Sequence, residues 1–297
     1  MNNNDPVTLI VGDMHVKQKL ILPMIDTAIK ITNAKRVVLC GDYMDDWGAD
    51  DEFALDAIGR LSAWLADKRE GGIDVTALVG NHDFCYLGQF IGCGTQGAIL
   101  AEVKDVLDSA GLRAATVVNG HLVTHAGLTD GWKNRYMPDV DTPDKAADAI
   151  NEMFDGGKTW WRCLYEAGYG RGGDSRTPGP LWADASELID DPAIGIPQIV
   201  GHTPMRRAIM EIAGNYDMRS GKNDLVDISF CDTFSLRRDL TPIGDGSILV
   251  VSGDSIKSIA NEGLWRRKVF DYRIERGWKG SYLIDEPIDE WLVEELI

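Results

Sequence analysis

The chain has 297 residues, a formal net charge of −17 at pH 7, and a composition that is 44% hydrophobic and 26% charged. This composition is typical of a globular protein with a sizeable core and excludes an intrinsically disordered chain. An acidic surface repels nucleic-acid backbones and anionic membranes, which argues against stable nucleic-acid binding and against a role at a membrane. It does not exclude a phosphorylated substrate, because bound metal ions invert the local field.

Cysteine use and the N-terminal segment favour a cytoplasmic protein. The five cysteines form no CxxC pair and no zinc-ribbon spacing, so we interpret them as free thiols in a reducing compartment. The N-terminal segment MNNNDPVTLIVGD has no basic region and no long apolar run. No stretch of the chain approaches the ~20 apolar residues of a membrane span. We therefore expect no membrane association and a cytoplasmic location.

Short apolar runs alternate with helical patterns along the first two thirds of the chain. Five runs rich in Val, Leu and Ile are typical of strands buried on both faces, namely VTLIVGD (7–13), RVVLCGD (36–42), VTALVGNHD (75–83), HLVTHAGL (121–128) and IPQIVGHT (196–203). Apolar residues at helical spacing predict helices within 20–29, 53–65 and 99–107. This alternation of strand and helix predicts an α/β sheet with crossover helices.

The rest of the chain has a different residue pattern. Residues 130–180 mix aromatic residues with the loop GRGGDSRTPGP and predict an inserted helical cap or specificity region within a single domain that spans 1–297. After Thr203 the runs LVDISFCDTFSL, GSILVVSG, KVFDYRI and SYLID predict a second, largely antiparallel sheet. The acidic tail DEPIDEWLVEEL predicts a short terminal helix.

Each of the five apolar runs ends in polar residues that are able to bind metal ions. In an open α/β sheet the carboxyl ends of the strands converge on one crevice, where ligands bind. Neighbouring glycines let the backbone turn sharply and approach closely. The side chains expected there are Asp13, His15, Asp42, Asn81, His82, His125 and His202. This set of carboxylate, imidazole and amide groups contains no thiolate, so it suits a pair of divalent ions and not a structural zinc.

The order of these motifs resembles the calcineurin-like metallophosphoesterase superfamily. The motifs are GDxH, GDxxD, GNHD, a lone His on a later strand, and GH. Two details are similar to the phosphoprotein phosphatase (serine/threonine phosphatase-like) branch: the element Leu181-Trp182-Ala183-Asp184, and GHTP, in which Pro204 is the last residue. The resemblance implies an α/β fold of the four-layer α/β/β/α sandwich type, with the inserted helical region described above.

The resemblance also implies a role for each residue of the site. Two divalent metal ions are expected, with Mn favoured and Fe, Zn or Ni as alternatives. The first ion would be bound by Asp13, His15 and Asp42, and the second by Asp42, Asn81, His125 and His202, so that Asp42 bridges them. A hydroxide held between the two ions would attack phosphorus in line. His82 matches the general acid that protonates the leaving group, and Asp45 matches the carboxylate that orients His82.

The groups expected to bind the substrate phosphate depart from the family pattern. Asp46 stands where the phosphatase branch has an arginine that binds the phosphate, and a carboxylate there is repulsive unless it points away or binds something else. Val16 stands where the family usually has Gly. We predict that Arg171 or Arg176 contacts the phosphate together with Asn81, because a planar guanidinium binds phosphate oxygens in pairs. Arg171 is favoured, because its Gly neighbours would let it reach into the crevice.

These patterns predict a metal-dependent phosphoesterase that acts on a phosphomonoester, either a small molecule or a phosphoprotein. The departure at Asp46 leaves open a nucleotide substrate, such as a dinucleoside polyphosphate or a cyclic phosphodiester. A further alternative is a catalytically inactive binding module that kept the fold. Against that alternative, every expected ligand position is filled and the expected general acid is present.

Overall fold

The computed structural model describes residues 6–217, 222–277 and 290–296. Its strands are β1 Thr8–Val11, β2 Arg36–Leu39, β3 Asp74–Ala77, β4 Ala115–Val118, β5 His121–Thr124, β6 Gln198–Val200, β7 Ile209–Asp217, β8 Lys222–Phe230, β9 Ile248–Ser252, β10 Ser255–Ala260 and β11 Leu292–Glu295. Its α-helices are α1 Gln18–Thr32, α2 Asp51–Glu70, α3 Asn81–Gly88, α4 Leu100–Ala110, α5 Asp130–Tyr136, α6 Pro143–Asp155, α7 Lys158–Leu164, α8 Ala185–Asp190 and α9 Glu262–Glu275. Short 3-10 segments lie at Gly97–Ile99 and Tyr169–Arg171.

Two sheets form the centre of the fold. The first has the strand order β11-β10-β9-β1-β2-β3, in which β1, β2 and β3 are parallel and β9, β10 and β11 are antiparallel to their neighbours. The second has the order β4-β5-β6-β8-β7, with β5, β6 and β8 parallel and an antiparallel strand at each edge. All four residues of β1 are buried, as expected for a parallel strand covered on both faces.

The sheets pack face to face, and helices cover their outer sides. Ile10 and Val38 of the first sheet belong to the same apolar cluster as Val123 and Ile199 of the second. α1 contacts β9 and α2 contacts β3 on one outer side, while α6 contacts β4 and β5 and α8 contacts β7 on the other. The fold is therefore the predicted four-layer α/β/β/α sandwich. No helix in the described part of the chain is long and apolar enough to cross a bilayer.

The segment 130–180 is mostly helical, and its parts have different positions. α6 packs on β4 and β5, so it contributes to the outer layer of the second sheet. α7 follows α6 and packs against it. The chain after α7 passes through the short 3-10 segment Tyr169–Arg171 towards the ends of the central strands. That 130–180 acts as a specificity insertion in a single domain stays a prediction.

Three predicted features of the C-terminal third are wrong. KVFDYRI lies in α9 and not in a strand: Trp265, Val269 and Tyr272 are buried at helical spacing, and this period outweighs the β-branched and aromatic composition. Residues 292–295 form β11, which pairs antiparallel with β10, where the acidic tail predicts a helix. β9 and β10 join the first sheet beside β1, so only β7 and β8 extend the second. The run SYLID lies outside the described residues.

Candidate metal centre and active site

The loops that follow β1, β2 and β5 bring the first predicted ligands together. His15 Nε2 lies 3.8 Å from Asp13 Oδ2 and 3.7 Å from Asp42 Oδ2. The same oxygen, Asp42 Oδ2, also lies 3.5 Å from His125 Nε2. One carboxylate oxygen of Asp42 therefore faces imidazole nitrogens from two different strand ends, which is the arrangement that a bridging ligand requires.

The second set of predicted ligands surrounds His125. Its Nε2 lies 2.9 Å from Asn81 Oδ1 and 3.0 Å from His202 Nδ1, and all three residues are buried. The backbone N–H of His202 donates to Asp13 Oδ1 at 3.0 Å, which connects this set to the first. Ligand atoms of Asp42, His125 and His202 all lie within 4.8 Å of one another. The seven side chains that we expected at the strand ends thus share one edge of the sandwich.

Backbone carbonyl groups hold two of the imidazole rings in place. His125 Nδ1 donates to the carbonyl oxygen of Cys40 at 2.8 Å, and His15 Nδ1 donates to that of Asp45 at 2.8 Å. A proton held on Nδ1 leaves the lone pair on Nε2 free, and Nε2 is the atom that faces the carboxylate of Asp42 in both rings. This is how proteins commonly orient a metal-binding histidine.

Two buried polar atoms at the centre of the site make no hydrogen bond within the described structure: Asp13 Oδ2 and His202 Nε2. A buried polar atom without a partner costs about 1–3 kcal/mol, so its persistence calls for an explanation. Both atoms have lone pairs that a divalent cation can accept, and mixed carboxylate, imidazole and amide ligands suit Mn, Fe or Zn. The residues of the site therefore fit divalent metal ions.

Burial and charge set the protonation of these ligands. Burial lowers the pKa of His15 to about 4 against the attraction of Asp42, and it also lowers the pKa values of His125 and His202. The three rings are therefore neutral near pH 7, the form that binds metal. Burial raises the pKa of Asp13 well above its usual range. For Asp42, burial opposes ionisation, but the attraction of the histidines, His125 first, outweighs it and lowers the pKa.

His82 differs from the other three histidines of the site. Its Nδ1 donates to Asp45 Oδ2 at 2.8 Å, and its backbone N–H donates to Asp42 Oδ1 at 2.9 Å. Burial favours the neutral ring, but the carboxylates of Asp42 and Asp45 outweigh it and raise the pKa of His82 to about 9. The ring is 20% exposed and lies near enough to His15 and Asp42 to join a ligand cluster. The raised pKa is the feature that sets His82 apart from the other three rings, and it is consistent with the predicted role of a general acid.

Backbone strain is concentrated in the same loops. His15, Asp42, Asp45 and His202 have φ values of 42°, 51°, 63° and 62°, which non-glycine residues seldom adopt. Val16, where the family usually has Gly, also has a positive φ, of 51°. Such conformations cost roughly 1–3 kcal/mol each, persist only where surrounding structure holds them, and cluster at active sites. No pattern in the sequence pointed to them.

Two glycines let the ligands approach the neighbouring backbone, as we expected from the sequence. A Cβ atom on Gly80 would lie 2.1 Å from Asp42 Oδ1, and one on Gly201 would lie 2.5 Å from Asp13 Oδ1. Both distances are far below van der Waals contact, so any side chain at either position would displace a carboxylate of the site.

Asp46, at the position of the family arginine, is buried and paired with other side chains. Its side chain is 4% exposed, and its Oδ2 lies 3.8 Å from the Nζ of the buried Lys17. The Tyr272 hydroxyl of α9 donates to the same oxygen at 3.3 Å. Lys17 Nζ also donates to the carbonyl oxygen of His15 at 3.1 Å. The Asp46 carboxylate is therefore paired with Lys17 and Tyr272. For this reason we do not expect it to repel a phosphate in the crevice.

Of the two predicted arginines, Arg171 reaches the site. Its Nη2 donates to Thr203 Oγ1 at 2.8 Å and to the carbonyl oxygen of His202 at 3.3 Å, and its Nε lies 2.9 Å from Asp184 Oδ2. Asp184 is the last residue of the Leu-Trp-Ala-Asp element, so that element anchors the arginine beside a predicted metal ligand. Arg176 is exposed, and none of its described contacts joins it to the site.

Aromatic side chains line one side of the site. The ring of Trp182 lies 5.8 Å from that of His202, and the ring of Tyr165 lies 5.2 Å from that of Trp182. Behind them, Phe84 of α3 packs against Tyr165 at 5.4 Å and Trp161 at 4.9 Å. Trp161 and Tyr165 thus contribute to packing, while Trp182 contacts a predicted metal ligand.

Comparison with known proteins is consistent with this geometry. The calcineurin-like phosphoesterase family model matches residues 6–206. A cold-active protein-tyrosine phosphatase of a psychrophilic Shewanella species has a similar fold, with a TM-score of 0.51 and 17% identity over 89% of this chain and 79% of that chain. Another structure of a cold-active protein tyrosine phosphatase gives 0.54 and 16%, over 89% and 77%. A search of curated proteins gave no match.

Proposed function

The chain belongs to the calcineurin-like phosphoesterase family, and from this premise we propose that it is a two-metal phosphomonoesterase in which His82 is the general acid. The protein is a metallophosphoesterase, a hydrolase of phosphoric esters. The proposal adds the ligand set, the nature of the metal and the class of ester. The observation that carries it is the convergence of neutral imidazoles and carboxylates around two buried atoms without partners, Asp13 Oδ2 and His202 Nε2.

The ligand assignment is supported by distance and by protonation. Asp13, His15 and Asp42 would hold one divalent ion, and Asp42, Asn81, His125 and His202 the other. Bound there, such ions polarise the phosphoryl group and lower the pKa of water so that it serves as the nucleophile. Oxygen and nitrogen ligands without thiolate favour Mn, with Fe, Zn or Ni as alternatives.

The protonation of His82 supports its role as general acid. The ring is protonated near neutral pH, it borders the crevice, and its Nδ1–H is bound to Asp45. In this proposal its Nε2–H donates to the leaving oxygen as the ester bond breaks, while Asp45 keeps the ring in place and stabilises its charge. Asp45 thus acts by orienting the acid and does not itself transfer a proton.

The monoester preference is supported by the cations near the site. A phosphomonoester presents three terminal oxygens with more charge than a diester, and a guanidinium binds two such oxygens at once. Arg171 is held at the site by Asp184 and Thr203. It also donates to the carbonyl oxygen of His202, whose ring lies in the same ligand set as Asn81. Because Asp46 is paired with Lys17, no carboxylate at that position opposes the dianion.

Hydrolysis of phenyl phosphate and p-nitrophenyl phosphate in the presence of Mn²⁺ tests this proposal. We expect His82→Ala to lower kcat on phenyl phosphate by about 10²–10⁴-fold, as is typical for a general acid, with metal content unchanged. The leaving group of p-nitrophenyl phosphate needs little protonation, so a much smaller loss is expected on that ester. Full activity of H82A on both esters would show that the general acid is another residue. Absence of both bound metal and hydrolysis in the wild type would favour a binding module.

A nucleotide is the second candidate substrate, and the ring of Trp182 beside His202 favours it. An aromatic face next to the reacting phosphate is a surface on which a base stacks. Rates on p-nitrophenyl phosphate, bis(p-nitrophenyl) phosphate and a dinucleoside tetraphosphate, measured side by side, distinguish the candidates. A higher kcat/KM for the dinucleotide, lost in Trp182→Ala, would replace the monoester proposal. A wide preference for the monoester would exclude the nucleotide.

We also propose a cytoplasmic location. All five cysteines are free thiols, and the Sγ atoms of Cys40 and Cys231 lie 3.8 Å apart in a thiol–thiol contact. A reducing compartment keeps such a pair of thiols reduced. Cell fractionation with an antibody to the protein tests the location, and recovery from an oxidising compartment would contradict it.

A further inference from the structure

Both oxygens of the Asp45 carboxylate are held by the same short helix. His82 Nδ1 donates to Oδ2 at 2.8 Å, and the Tyr86 hydroxyl donates to Oδ1 at 2.6 Å. His82 and Tyr86 lie four residues apart on α3, so their side chains lie on the same face of the helix. The carboxylate of Asp45 is therefore bound between two donors of one rigid element.

The hydroxyl of Tyr86 is itself fixed on its other side. It accepts a hydrogen bond from the backbone N–H of Gln96 at 2.9 Å, and the Tyr86 side chain is fully buried. With its oxygen accepting from Gln96, the hydroxyl hydrogen points at Asp45. A Cβ atom on Gly94 would lie 3.0 Å from Asp45 Cβ, so the same loop also encloses the carboxylate. Burial, first, and the Asp45 charge raise the pKa of Tyr86, which keeps it a donor.

We propose that Tyr86 is a positioning residue for the general acid: its hydroxyl bond to Asp45 holds that carboxylate, and through it the His82 ring, in the orientation that protonates the leaving group. Only one proton moves in this step, from His82 Nε2 to the leaving oxygen. Tyr86 keeps its proton, and Asp45 keeps its charge. This role could not be predicted from the sequence, because a tyrosine on the helix after GNHD is most simply interpreted as a core residue.

This inference rests on the proposed role of His82, and it predicts a specific kinetic pattern. A general acid matters most when the leaving group is a strong base, and it matters little when the leaving group is stable as an anion. A misplaced His82 should therefore slow the hydrolysis of phenyl phosphate much more than the hydrolysis of p-nitrophenyl phosphate. A variant with a generally disturbed fold or metal site should slow both esters by the same factor.

Tyr86→Phe tests the proposal, because it removes one oxygen from a buried ring. We expect kcat on phenyl phosphate to fall about ten-fold and kcat on p-nitrophenyl phosphate no more than about two-fold, the size typical of losing one hydrogen bond to a charged group. In an Asp45→Asn background, Y86F should lower kcat on phenyl phosphate by less than about a further two-fold, because Tyr86 acts on His82 only through the Asp45 carboxylate. Metal content should match the wild type.

Tyr136→Phe is the matched control. The Tyr136 hydroxyl also donates to a carboxylate at 2.6 Å, that of Glu166, but this bond lies in the α5 region and contacts neither Asp45 nor His82. Y136F should leave the ratio of the two rates unchanged. Tyr86→Met, which lacks the donor but adapts its shape to the cavity, is a second variant in case Y86F is unstable.

The outcomes separate this inference from the proposed function. If Y86F slows both esters equally, or slows neither, Tyr86 does not position the acid. If His82→Ala and Asp45→Asn shift the ratio towards p-nitrophenyl phosphate while Y86F and Y86M do not, the proposed function survives and the role of Tyr86 fails. If H82A itself leaves the ratio unchanged, the general-acid assignment fails and the inference fails with it.

Discussion

The two flanks of the site differ in how they use charged side chains. On one flank, Asp46 turns inward, where it meets the buried ammonium of Lys17 and the hydroxyl of Tyr272. On the other, Arg171 lies at the crevice, held by Asp184 and Thr203. On the first flank, the residue at the arginine position of the phosphatase branch, Asp46, forms a buried ion pair that supports the fold. On the second flank, Arg171 places a cation next to the proposed metal ligands. A change within a motif is thus interpretable only with the partners that surround it.

The largest expected effect is on the first flank. Asp46→Arg, which restores the residue of the phosphatase branch, places a second cation against Lys17 and removes its partner. Breaking a buried ion pair costs about 3–5 kcal/mol, so we expect the free energy of unfolding in urea to fall by that amount. The smaller change Asp46→Asn should cost less. If D46R were as stable as the wild type and gained affinity for monoesters, the inward orientation of Asp46 would be wrong.

On the second flank, Arg171→Ala should weaken catalysis without a comparable loss of stability. Losing a charged hydrogen-bond donor to phosphate costs roughly 1.5–3 kcal/mol, which lowers kcat/KM by about 10–100-fold. Arg176→Ala is the control and should stay within about two-fold, because Arg176 is exposed and away from the described contacts of the site. Equal effects of the two variants would mean that Arg171 does not bind substrate.

Tyr272→Phe tests how α9 supports the first flank. It removes the hydrogen bond to Asp46 and the acceptor for Arg276, whose Nη1 donates to the Tyr272 oxygen at 3.0 Å. We expect about 1 kcal/mol of destabilisation in urea unfolding and little change in kcat/KM. A large loss of activity at full stability would instead place α9 in the catalytic machinery.

A pH dependence of the free energy of unfolding is expected from His82. Its pKa is raised from 6.5 to about 9 in the folded protein, so its protonated form stabilises the fold. This contribution is complete below pH 6.5 and is lost as the pH rises through about 9. In EDTA, the unfolding free energy of the wild type minus that of His82→Ala should therefore decrease across this interval. A constant difference would contradict the raised pKa.

The strand-end part of the site was predictable from the sequence because its signals are local. Each proposed ligand follows an apolar run and lies within three residues of a glycine, as with Asn81 after Gly80 and His202 after Gly201. Parallel strands place their carboxyl ends together, so local motifs translate into proximity. The α/β/β/α sandwich was inferred from the family resemblance that these motifs carry, whereas the alternation of apolar runs and helical patterns predicted only an α/β sheet with crossover helices.

The supporting contacts could not be predicted because they join distant segments with no characteristic spacing. Tyr272 and Asp46 are 226 positions apart, and nothing near either residue points to the other. Tyr86 is buried like any core aromatic, and only the hydroxyl direction gives it a role. The strand prediction for KVFDYRI failed because β-branched and aromatic residues were weighted above the helical spacing of Val269 and Tyr272.

Metal stoichiometry tests the central claim most directly. We expect the purified wild type, titrated with Mn²⁺ after chelation, to bind two ions per chain. His15→Ala and His202→Ala should each retain one, because each ring belongs to a different ligand set around the shared Asp42. A wild type that binds at most one ion, or variants that both still bind two, would contradict the assignment of these residues to a two-metal centre.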